Sequence, residues 1–190
     1  MATHTSDLLA AAAPGTVAVL RQITDDQLDL PTPCRDYRVR DLINHLYEVV
    51  VNFQTLARRS PVTWADKPDY LTEGWRDRFA AETRRLVEAW SEPASEQGVS
   101  PGMGMPQQVV GAMALLDLTV HGWDLAVATG QPYGAAAEVL PALHELAGQL
   151  GPTARQMGVF AEAVPVEAGP PDLPRLLGMT GRDPAWSPVG

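Results

Sequence analysis

The chain contains a single cysteine, Cys34, and a single lysine among its fourteen basic residues. One cysteine excludes an intrachain disulfide framework and a four-cysteine metal knuckle, and it fits a reducing cytoplasm. Positive charge is scarce: the formal net charge is -9, and the arginines fall in scattered pairs such as Arg58 with Arg59 and Arg84 with Arg85. That balance opposes a phosphate backbone, so nucleic acid is excluded as the expected partner. No uninterrupted apolar run is long enough for a bilayer. The longest apolar region, 109 to 129, is broken by Asp117, His121 and Asp124 and belongs inside a protein. Residues 8 to 20 lack a basic leader, and their small-residue run Ala10 to Ala13 comes first, so they read as mature helix and not as a secretion signal. Also missing are hairpin turns flanked by alternating strands, a glycine-rich strand-to-helix phosphate loop, and any tandem repeat.

What is present is helical periodicity. At 190 residues the chain suits one domain spanning 1–190, with 151–190 as an irregular C-terminal extension packed on it. An opening helix is expected over 7–22, with a bend at Pro14 and Gly15. The proline-rich string from Leu30 to Tyr37 reads as an ordered loop. Within 38–59, Val39, Leu42, Leu46, Val49, Val50, Phe53 and Leu56 recur every three or four residues and give one broad apolar face. A linker with Pro61 and Pro68 leads to a third helix over 72–90. A fourth runs from Pro106 or Gln107 to Thr129, with Gly130 suited to its end, and a fifth covers 135–150. A short helix is expected around Leu173 to Leu177, followed by a turn at Gly181, Arg182, Asp183 and Pro184. The predicted architecture is an all-α up-down four-helix bundle with an additional C-terminal helical segment.

Chemistry concentrates in the fourth helix. On an ideal helix Val110, Met113, Asp117, His121, Asp124 and Ala128 share one face, flanked by Leu116, Val120, Trp123 and Val127 on one side and Leu115, Leu118 and Leu125 on another. A helix apolar all round is buried, so its polar residues need partners. Asp117 and His121 stand four apart, a separation that lets a carboxylate and an imidazole address one metal ion; it equally suits a buried hydrogen-bonded pair. His45, inward-facing on the second helix, adds an imidazole. Two histidines and a carboxylate fit zinc or nickel. Spacing permits either Asp117 or Asp124 to be the carboxylate. Cys34 reads as a packed small residue, Trp123 as core with an indole donor, and Arg38 and Arg40 as exposed.

Two strings carry a family resemblance. The first runs from Thr32, Pro33, Cys34, Arg35, Asp36, Tyr37 through Val39, Asp41 and Leu42 to Asn44, His45 and Leu46; the second is Asp117, Leu118, Thr119, Val120, His121, Gly122, Trp123, Asp124, Leu125, followed by Gly130. Together they resemble the actinobacterial mycothiol-dependent maleylpyruvate isomerase N-terminal domain family, within the DinB-like metal-binding four-helix-bundle superfamily. The tail from Leu173 through Gly181, Arg182, Asp183, Pro184 to Trp186 is similar to the ending of a short subgroup, without the separate C-terminal domain of the full-length isomerase. The resemblance implies a divalent-metal site of His45, Asp117 and His121; relatives often have glutamate at the position of Asp117. It also implies a transferase or isomerase that uses mycothiol or a related small thiol against an electrophile the sequence does not name. Asp124 is expected outside the first coordination sphere, orienting a histidine or capping a local polar contact. A metal-binding or regulatory protein without turnover is the alternative. Monomer and homodimer both remain open, and neither nucleic acid nor membrane is expected as a partner.

Overall fold

The computed structural model describes residues 4–65 and 68–188; positions 66 and 67, within the linker after the second helix, lie outside the described residues. Six α-helices follow in order: α1 (Thr5–Gln22), α2 (Val39–Ala57), α3 (Trp75–Ser91), α4 (Gln107–Ala128), α5 (Leu140–Gln156) and α6 (Leu173–Met179). Among the described residues the only β pairings are two isolated bridges, Pro31 with Arg38 and Val99 with Pro106. The protein is all-α, with four tightly packed N-terminal helices and a separate C-terminal helical segment.

α1 packs on α3 and α4, and α2 packs on the same two, so α1 and α2 face one another diagonally across the bundle. Consecutive helices can take diagonal places because the connections are long enough to cross a bundle end. α4 is buried on nearly every side, which is why it is apolar all round: Val110, Ala114, Leu115, Leu118 and Leu125 have no exposed surface. It is of membrane-spanning length and composition, but its surface is taken up by the protein's own core.

α1 continues through Pro14, and its start is tied down by Glu96, which accepts from the Thr5 amide and pairs with His4. Gly122 lets α4 close on α1: a β-carbon there would lie 2.4 Å from the Thr16 hydroxyl oxygen, which donates to the Leu118 carbonyl, and 2.9 Å from the Tyr133 oxygen. α5 passes Gly151 and Pro152 to reach Gln156, beyond the end at 150 that leucine spacing suggests. A tertiary contact holds this last part, where Arg155 donates to the Met179 carbonyl at the end of α6.

Candidate metal centre

The residues singled out in the sequence meet where α2 and α4 pack together. α2 starts immediately after the loop 30–38, whose shape is fixed by the buried Thr32: its hydroxyl reaches the carbonyls of Cys34 at 3.0 Å and Tyr37 at 2.8 Å. Arg38 and Arg40 are exposed as expected, yet both bind Asp29, through its carbonyl and its carboxylate respectively. The loop thereby lays the Tyr37 ring on His45 at a centroid distance of 5.6 Å, while the rings of His45 and His121 stand nearly perpendicular with centroids 5.1 Å apart. His45, Asp117 and His121 each offer a ligand atom within 4.8 Å of the other two.

His121 is addressed from both ends of its ring by its own helix. Its Nδ1 lies 2.9 Å from Asp124 Oδ2, and its Nε2 lies 3.7 Å from Asp117 Oδ1. An ionised carboxylate only accepts hydrogen bonds, so the Asp124 contact makes Nδ1 a donor and turns Nε2 towards Asp117. The 3.7 Å gap between Asp117 Oδ1 and His121 Nε2 has room for a bridging water or a metal ion, and of the two a metal ion would draw on Asp117, His121 and His45 together. Burial lowers the pKa of His45, reinforced by His121 and Arg182 and opposed by Asp117, so this imidazole is neutral at pH 7 and free to donate its lone pair.

Asp124 has no exposed surface, whereas the Asp117 side chain is 29 % exposed, so the site opens to solvent on the Asp117 side and is closed behind His121. The partner of Asp124 comes from the far end of the chain. Arg182 Nη2 donates to Asp124 Oδ2 at 3.1 Å and Nε to Oδ1 at 3.4 Å, while Nη1 donates to the Thr180 carbonyl. Burial alone would raise the Asp124 pKa, but the hydrogen bond from His121 and the charge of Arg182 together hold the carboxyl below its ordinary value.

A second group of possible ligands, Cys34, His121 and Asp124, lies on this closed side. It is the poorer metal site, because Asp124 is already engaged by a guanidinium and a cation there would sit against Arg182. Cys34 would also have to give up a proton that burial retains, with its pKa pushed up to about 11. His144 lies apart from the centre and hydrogen-bonds with the Asp172 carbonyl.

Sequence reasoning placed Arg182 only in a turn and Cys34 only in packing. The signal for Arg182 is Asp124 itself: a carboxylate on an all-apolar helix requires a partner, and periodicity does not say that it comes from 58 residues away. A groove between α1 and α3, lined by Ala10, Val17, Arg21, Arg84 and Val87, is formed by other residues.

The family described as the mycothiol maleylpyruvate isomerase N-terminal domain matches residues 9–126. The chain belongs to this family. The match takes in His45, Asp117, His121 and Asp124 and stops short of Arg182. Two proteins of Mycobacterium tuberculosis, from strains CDC 1551 / Oshkosh and H37Rv and both described as uncharacterised, are 32% identical over 171 residues, covering 87% of this chain and 90% of each of theirs. Similarity to those actinobacterial relatives therefore extends well beyond the family domain. No solved structure matches the chain.

Proposed function

We propose that this member of the mycothiol maleylpyruvate isomerase N-terminal domain family is a divalent-metal-dependent thiol transferase or isomerase, with His45, Asp117 and His121 as the ligands. The observation that carries this reading is His121 Nε2 facing Asp117 Oδ1 at 3.7 Å, with His45 converging on both. The donor set of two imidazoles and one carboxylate suits zinc or nickel. A bound ion of this kind supplies Lewis acidity, lowering the pKa of a small thiol such as mycothiol so that it reacts as a thiolate.

The protein's own residues supply the rest. Asp124 fixes the His121 tautomer, Tyr37 holds the plane of His45, and the partly exposed side chain of Asp117 marks the face by which a thiol enters. Cys34 has no part in the chemistry, since the nucleophile is brought by the small thiol.

The test is elemental analysis of metal-replete protein with calorimetric thiol titration. The expected result is one divalent ion per chain, lost in His45→Ala and His121→Ala, with thiol binding that needs the ion, releases protons and survives Cys34→Ala. Metal binding without any effect of a thiol would move the protein to a non-catalytic metal-binding role. Persistent absence of metal from the wild type would remove the site.

A further inference from the structure

Among the described residues, the C-terminal segment sends the buried Arg182 guanidinium into the bundle against Asp124. This segment lies outside the family match, yet it is held firmly around that residue. Leu176 and Leu177 are buried, Asp172 caps the start of α6, and Val164 donates to the Gly178 carbonyl. After α6 the chain turns at Gly181, whose φ of +80° favours glycine. A β-carbon at Gly181 would also stand 2.7 Å from the Ala161 carbonyl oxygen. This turn sends the Arg182 amide back to the Leu177 carbonyl at 2.9 Å and its guanidinium inward to Asp124. Arg182 is 9% exposed, and its fork meets both oxygens of a carboxylate whose other contact is His121 Nδ1.

We propose that Arg182 is a positioning residue of the metal centre, and that docking of the C-terminal segment and loading of the metal are coupled through the chain Arg182, Asp124, His121. The proposal rests on the metal reading of the preceding subsection. With both oxygens held by the fork, Asp124 presents one fixed acceptor to His121 Nδ1, and this sets the direction of Nε2. Without the fork the carboxylate can turn, and the imidazole turns with it. Carboxylates behind a metal-bound histidine typically control metal affinity by about 10–100-fold. Coupling between two sites is reciprocal, so a metal ion that binds the docked state more tightly must stabilise docking by the same factor.

Two measurements on the full chain test this, with zinc alone as the probe. In the first, chelator-buffered zinc titration compares the wild type with Arg182→Leu, Arg182→Lys and Arg155→Ala. Arg155 anchors the same segment to α5 through the Met179 carbonyl and touches neither Asp124 nor His121. Arg182→Leu is expected to weaken zinc about 10–100-fold, Arg182→Lys to recover part of the loss, and Arg155→Ala to stay close to the wild type. In the second, hydrogen exchange of the wild type with and without zinc reads the amides of Val164, Gly181 and Arg182. Zinc is expected to slow them by a factor of the same size, and this holds even if Arg182→Leu does not fold. Wild-type affinity in Arg182→Leu, or equal weakening in Arg155→Ala, would overturn the positioning role of Arg182, and exchange unchanged by zinc would overturn the coupling. A wild type that binds no zinc at all would overturn this inference and the metal site together, whereas the other failures leave the metal site standing.

Discussion

Replacing Asp124 by leucine removes one side of a fully buried ion pair and leaves the other in place. The Arg182 guanidinium would keep only the Thr180 carbonyl as partner, inside a region where Asp124 has no exposed surface and Arg182 is 9% exposed. Breaking a pair of this kind from one side costs about 3–5 kcal/mol, because an uncompensated charge stays buried. At about 2–4 °C per kcal/mol for a chain of this size, the melting temperature should fall by about 6–20 °C. Replacing both partners, Asp124→Leu with Arg182→Leu, should recover most of that loss, since the uncompensated charge is gone. The assay is urea and thermal unfolding followed by circular dichroism in excess chelator, so that metal binding does not enter the comparison. The pair also has a pH signature. Because the folded-state pKa of Asp124 is depressed, its contribution is full above the ordinary carboxylate value and is lost as pH falls through the folded value; the double variant should lack this acid limb. A single variant that loses less than about 1 kcal/mol, or a double variant as unstable as the single one, would refute the reasoning.

Gly122→Ala should cost about 1–3 kcal/mol through overpacking, because the new β-carbon meets the Thr16 hydroxyl at 2.4 Å; an unchanged urea midpoint would contradict that contact. In metal-free protein Cys34 should react slowly with a neutral disulfide reagent at pH 7 and progressively faster towards pH 11, as followed by absorbance, since its thiol is held up to about 11; a rapid reaction at pH 7 would disprove the protonated thiol. His45 should make metal-free protein less stable as pH drops below its ordinary 6.5 towards its lowered folded value, because the folded state resists its protonation; an equally steep pH dependence in His45→Gln would assign that slope to another group.

The helices were legible because their apolar residues repeat at helical spacing, and α2 shows why: Leu42, Leu46, Val49 and Phe53 all lie in the core. The all-round apolar character of α4 similarly announced its burial. What periodicity does not encode is which helices are neighbours, so the diagonal placement of α1 and α2 had to come from the structure. At the site, the four-residue spacing of Asp117 and His121 exposed a possible ligand pair, and family likeness connected it to His45. Spacing left Asp124 ambiguous, because its role depends on a residue 58 positions later. The continuation of α5 past Pro152 was hidden for a related reason: the anchor at Met179 is remote in sequence.

The arrangement of His121 between Asp117 and Asp124 has a kinetic consequence. Both carboxylates and the imidazole are carried by α4, while His45 is carried by α2. A brief widening of the seam between α2 and α4 would separate one donor from the other two before anything else in the centre changed. An ion held by all three ligands would therefore tie α2 to α4 across that seam, and its release would require the seam or the ligating side chains to open.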